Sequence, residues 1–159
     1  MMYKKVMLLM VSLAALSGCT SNGGYGNYAA APVHLNQKMA QDTVAQLLTL
    51  YPPAQTHLCL KQPIQDTYGA TLVVALRAKG YSLMEYTTPK RTRRPQASVV
   101  AAAPHPDLRY LDLHYIVDAP KSTDLYRVTL QIGNQSISRV FTLTPEGKLY
   151  PASAWIRKE

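Results

Sequence analysis

Four histidines and two cysteines are the side chains in this sequence best suited to bind a metal or attack a substrate. Their spacing serves neither purpose. His34, His57, His105 and His114 stand apart, none at metal-ligand spacing to another His, Cys or carboxylate, and neither His-Glu-x-x-His nor Cys-x-x-Cys occurs. Asp112 and His114 share a strand face at i and i+2, but no nucleophile lies near them in sequence, so the pair reads as a surface contact. Gly-x-Ser-x-Gly and Walker-type phosphate loops are absent. The expectation is a protein with no catalytic residues, no metal and no cofactor.

The one residue placed for covalent chemistry is Cys19. It closes a segment that opens with Lys4 and Lys5 and continues as an uncharged run of 13 residues from Val6 to Gly18, the layout of a secretory signal peptide over residues 1–18. That run is shorter than the roughly 17 to 25 residues a membrane-crossing helix needs. Leu16-Ser17-Gly18-Cys19 resembles the lipobox of bacterial lipoproteins, in which the thiolate is the nucleophile that takes up diacylglycerol and small residues let a peptidase reach the bond between Gly18 and Cys19. The lipobox implies a mature chain beginning at Cys19, carrying thioether-linked diacylglycerol and an acylated amine. Three acyl chains, at about 0.8 kcal/mol per buried methylene, far exceed the marginal hold of one. Thr20 rather than an aspartate follows, which in the lipoprotein pattern implies export to the outer membrane, facing the periplasm. With Cys19 lipidated, Cys59 has no partner within the chain and reads as a small apolar core residue on a strand.

The charge shifts meaning once the signal is removed. Seventeen Lys and Arg against nine Asp and Glu give +8 over 159 residues, and loss of Lys4 and Lys5 leaves 15 against nine, or +6. Lys90, Arg91, Arg93 and Arg94 supply four of those charges. Such a run invites a nucleic-acid reading, but it has no interleaved aromatics, lies among prolines and belongs to an exported chain. It reads as a solvated loop, with contact to an acidic protein or anionic lipid as the alternative; no direct nucleic-acid binding is expected.

Around these residues the chain divides into a flexible tether over 19–35, rich in Ser, Asn, Gly, Tyr, Ala and Pro, and one domain over 36–159. Apolar residues at helical spacing predict a helix from an Asn36 N-cap to Tyr51, stopped by Pro52-Pro53. Gln55–Lys61 reads as a short strand. A second helix is signalled by Asp66 as N-cap, Leu72, Val73 and Leu76 on one side, and Gly80 as the left-handed terminator. Tyr81–Tyr86 returns to a strand pattern, and 87–107, with four prolines and the basic run, reads as a mobile loop. Alternation then predicts strands over Leu108–Val117 and Leu125–Ile132, a Gly133-Asn134 turn, a strand over Ser136–Thr144 and a last extended segment over Lys148–Ile156. The fold class is α+β, two helices on a mixed, mainly antiparallel sheet of about five strands whose meander edges are open to neighbours.

Several stretches carry a family likeness. Asp42-Thr-Val-Ala-Gln-Leu-Leu-Thr-Leu-Tyr-Pro-Pro-Ala, Asp66-Thr-Tyr-Gly-Ala-Thr-Leu, Leu76-Arg-Ala-Lys-Gly-Tyr81, Ser138-Arg-Val-Phe, Pro145-Glu-Gly-Lys-Leu and Ser153-Ala-Trp155 together resemble the TrbH family of conjugal transfer lipoproteins. The likeness covers about 39–86 and 136–157, and none attaches to 87–107. It implies a structural subunit of the type IV secretion apparatus that moves plasmid DNA between cells, at its outer-membrane end, with other core-complex proteins as partners. The Leu-x-x-x-Gly-Tyr pattern is also similar to the N-terminal ring domain of secretins and to DotD-type secretion lipoproteins, which implies a homo-oligomeric ring. A stand-alone envelope lipoprotein that binds a cell-wall polymer or secreted protein through Lys90–Arg94 is the other reading.

Overall fold

The computed structural model describes residues 24–87 and 110–159. Two helices lie on one face of a single eight-stranded sheet. In chain order the elements are β1 (Gly26–Asn27), α1 (Val33–Leu50), a 3₁₀ turn (Pro53–Gln55), β2 (His57–Leu60), α2 (Thr67–Ala78), β3 (Ser82–Met84), β4 (Tyr110–Asp118), β5 (Leu125–Ile132), β6 (Gln135–Leu143), β7 (Leu149–Pro151) and β8 (Ile156–Lys158). The sheet runs β3-β2-β4-β5-β6-β7, with β1 added to β4 beyond β2 and β8 added to β6. Pairings β2·β3, β2·β4 and β1·β4 are parallel, while β4 through β8 pair antiparallel. The α+β class holds; the strand number exceeds the expected five because three additions at the edges are only two or three residues long.

Local chemistry accounts for α2 almost completely. Asp66 is its N-cap and accepts from the Gly69 amide at 2.9 Å. At the other end Gly80, at φ 84°, lets its own amide reach Arg77 O and the Tyr81 amide reach Leu76 O, closing a Schellman motif. Leu72, Val73 and Leu76 are buried between the ends. α1 is governed differently. It begins at Val33 rather than Asn36, because Pro32 (φ −54°, ψ 155°) sets the entry and Asn36 serves from inside the first turns, donating to Ala31 O at 2.8 Å. His34 therefore sits on a helix, exposed, rather than in a tether. The helix ends at Leu50, ahead of Pro52-Pro53.

The domain also starts earlier than the sequence reading set it. Gly26 and Asn27 pair with Ile116 and Val117 of β4, and Ala29 is buried in the core, so the expected tether over 19–35 is part of the fold from about Tyr25 onward. No periodicity can announce a two-residue strand. The expected final strand is broken as well: β7 and β8 both pair with β6, separated by Ala152–Ala154, where the amides of Ala152 and Ser153 converge on Val140 O and Ser153 Oγ accepts from the Val140 amide. These additions close the meander. β4 is covered by β1 and β2, and β6 by β7 and β8, so the open edges expected of the meander belong to short strands instead.

The core lies between helices and sheet. Met39, Val44, Leu47, Tyr68, Leu72 and Leu76 meet Leu58, Leu60, Leu113, Tyr115, Val117, Val128, Leu130 and Ile132, as the alternation in β4 and β5 predicts. The opposite sheet face carries no helix among the described residues. Cys59 lies on that face, half-buried and free: Leu58 and Leu60 take the core side, and the period of two sends the residue between them outward. Its reading as a core residue is corrected accordingly.

Candidate functional site

The residues singled out for lipidation, cleavage and partner contact, Cys19, Gly18 and Lys90, Arg91, Arg93 and Arg94, lie outside the described residues. What the structure assembles is a helix-free sheet face and two polar clamps. On the face, β2 and β4 run in register as His57↔Tyr110, Leu58↔Leu111, Cys59↔Asp112 and Leu60↔Leu113. Asp112 pairs with Lys61 at 3.3 Å, and its carboxylate hydrogen bond raises the lysine's pKa above the usual range. His114 does not meet Asp112; its ring stacks on Tyr25 with centroids 3.9 Å apart. Burial, aided by Lys61, holds its pKa below the usual histidine value, against the opposing pull of Asp112. His57 tilts against Tyr110 at 5.6 Å. Among the described residues no group of three His, Cys, Asp or Glu side chains is placed to hold a metal ion. The face offers stacking, hydrogen bonds and a paired lysine.

The first clamp is built on Asp66. Besides capping α2, its second carboxylate oxygen accepts from Tyr115 Oη at 2.5 Å, and Asn27 donates to its first at 3.3 Å. Asn27 also donates to Asn36 Oδ1 at 2.9 Å, so one side chain on β1 ties the starts of both helices to the sheet. Gly69 makes room for the buried phenol: a Cβ there would stand 2.1 Å from Tyr115 Oη. Tyr68 packs on Tyr115 and shares a 3.0 Å hydrogen bond with Thr43. Burial pushes both phenols well above the usual tyrosine range. The Asp66-Thr-Tyr-Gly run is thus a packing device.

The second clamp joins α1 to the far side of the sheet. One guanidinium nitrogen of Arg139 reaches both oxygens of Asp42, at 2.8 and 3.1 Å, while its Nε donates to Ser153 O at 2.9 Å. The same guanidinium lies 5.8 Å from the ring centres of Phe141 and Trp155. Asp42, Ser138-Arg-Val-Phe and Ser153-Ala-Trp155 therefore converge in space although 97 residues separate Asp42 from Arg139. The sequence likeness marked these residues but not their mutual contact, which only the fold creates.

The first clamp holds together an end of the domain that the sequence pattern does not announce. Because β2, β3 and β4 are parallel, their C-terminal ends meet there, and Asn27 brings in the N-terminal ends of α1 and α2. An open groove of ≈ 700 Å³ runs from Ile64 and Asp66 along Thr67, Ala70 and Val74. The one foreshadowing signal in the sequence is the pair Tyr25 and Tyr28, within the stretch whose composition reads as a tether.

The fold and its clamps define a small α+β domain held together by buried tyrosine and carboxylate contacts, with one sheet face free of helices among the described residues. A family model described as conjugal transfer protein TrbH matches residues 21–159, and the chain belongs to that family. Its members are conjugal transfer proteins, so a role in conjugation and association with other transfer proteins follow from the membership. No curated protein and no solved structure matches the chain.

Proposed function

We propose that the protein is an outer-membrane lipoprotein and a structural, non-enzymatic subunit of a conjugative type IV secretion core complex. Cys19 carries the diacylglycerol and N-acyl lipid, Gly18-Cys19 is the cleavage site, and the folded domain faces the periplasm. The observation that carries the reading is the convergence of the family's stretches on the two clamps: they build a rigid scaffold and leave the helix-free face for a partner. A subunit of this kind requires a fixed shape and an anchor. The short free edges disfavour assembly by long strand addition, so neighbours in a ring would meet through the sheet face or the helices. Lys90, Arg91, Arg93 and Arg94 remain a second contact with an acidic partner, without direct binding of the transferred DNA.

The test is Cys19→Ser in a donor strain, read by membrane fractionation and mating efficiency together. The proposal requires that the variant leave the membrane fraction and that transfer fall. Unchanged transfer with the protein still membrane-bound overturns the anchoring role.

A further inference from the structure

Four of the eight large apolar side chains exposed among the described residues sit around the end where the helices begin, Tyr25 (45%), Tyr28 (62%), Val33 (58%) and Tyr86 (40%), and a fifth, Val74 (67%), lies about two turns along α2. All but Val33 are joined through one loop. Ile64 lines both the groove that reaches Val74 and the hollow that bears Tyr86, and Gln65 and Asp66 lie between that groove and the hollow formed by Tyr25 and Tyr28. The charges nearby are committed elsewhere: Asp66 to Gly69, Tyr115 and Asn27, and Glu85 to Arg77 at 2.5 Å. Among the described residues the result is a cap of tyrosines and aliphatics whose two carboxylates, Asp66 and Glu85, are both engaged.

We infer that this cap is the surface by which the domain rests on the phospholipid bilayer. The inference builds on lipidation at Cys19, proposed above. Tyr25 follows Cys19 by six residues, a span of about 20 Å even when fully extended. β1 is fixed to β4 and to both helices, so the anchor can only pull this end of the domain toward the bilayer. Tyrosine suits the headgroup zone, with an apolar ring below and a hydroxyl that stays wet. A short tether also keeps the cap at high local concentration against the bilayer, so a contact too weak to bind alone is populated. A cap whose carboxylates are engaged among the described residues fits a predominantly zwitterionic phosphatidylethanolamine surface. A protein partner seated on the cap is the competing occupant.

The experiment uses the full chain, lipidated in a bacterial host and reconstituted into phosphatidylethanolamine vesicles containing phospholipid brominated near the headgroup. Trp155 is the only tryptophan. Two chains carry Trp155→Phe with either Tyr28→Trp in the cap or Lys79→Trp at the far end of α2. The expected result is quenching of the residue-28 emission by about twofold and little change at residue 79. Hydrogen exchange on the wild-type chain supplies a readout free of substitutions: amides of 24–34 should exchange more slowly in vesicles than in detergent, while those of 76–81 should not change. Vesicle flotation separates the two layers of the inference. A chain that floats but shows equal quenching at both sites, or none, and no protection of 24–34 overturns the docking surface with lipidation intact; a chain that does not float overturns the anchor and the docking with it.

Discussion

Gly69→Ala isolates the packing device at the centre of the fold. In an unconstrained helix interior, alanine in place of glycine stabilises by about 1 kcal/mol. Here the added methyl would stand 2.1 Å from Tyr115 Oη, 2.9 Å from its Cζ and 3.2 Å from Ile64 Cγ2, and Tyr115 is fully buried. The ring must move, at an overpacking cost of about 1–3 kcal/mol. Moving it also breaks the 2.5 Å bond to Asp66, a charge-assisted hydrogen bond worth about 1.5–3 kcal/mol. After the helix gain is subtracted the net loss is about 1.5–5 kcal/mol, a large share of the 5–15 kcal/mol typical of a domain. Urea unfolding of the chain expressed from residue 20, followed by far-ultraviolet circular dichroism, should show the midpoint falling at constant slope. In a Tyr115→Phe background, where the bond is already gone, Gly69→Ala should cost less, because the two changes remove one shared interaction. A neutral or stabilising Gly69→Ala would refute the reasoning.

Other consequences of the geometry are open to measurement. Arg139→Met leaves Asp42 partly buried without its partner and should cost about 1–3 kcal/mol in the same urea assay; an unchanged midpoint would show the clamp to be ornamental. Burial lowers the His114 pKa in the folded state, so the unfolded chain takes up that proton first: the contribution is whole above about pH 6.5 and is lost as pH falls through the folded value. The wild-type midpoint should therefore drop more than that of His114→Asn between about pH 7.5 and pH 5, and an equal or smaller drop speaks against it. At the alkaline end Tyr81 is pushed up to about 12 by burial, with Tyr68 and Tyr115 also raised, so stability present below about pH 10 is lost as pH rises. Phenolate absorbance should rise in a second step that coincides with loss of helix, rather than as one curve for all tyrosines with the fold intact. Asn27→Ala should release β1, seen as faster hydrogen exchange over 24–32 with α2 unaffected.

How much of this was legible in the sequence depended on how local the determinants were. The Asp66 cap, the Gly80 terminator and the alternation in β4 and β5 act over a few residues, and the sequence shows each of them. β1 was read as tether because its two residues have no period and owe their strand to Ile116 and Val117, some 90 positions away. Asn36 has the side chain of an N-cap but does not cap the helix: Pro32 sets the start upstream, and Asn36 lies buried inside the first turns, donating to Ala31 O. Cys59 was assigned by its apolar neighbours, whereas the sheet's parity decides its face. The exposed cap required knowledge of which loops meet at one end, and only the parallel arrangement of β2, β3 and β4 supplies that.

Affinity isolation of the full-length protein from mating donor cells in mild detergent tests the central claim most directly. A structural subunit of the transfer channel should elute at high mass together with other transfer proteins, and should keep that company when Lys90, Arg91, Arg93 and Arg94 are neutralised one at a time. Elution as a small species without transfer proteins, from cells that transfer plasmid normally, would contradict it.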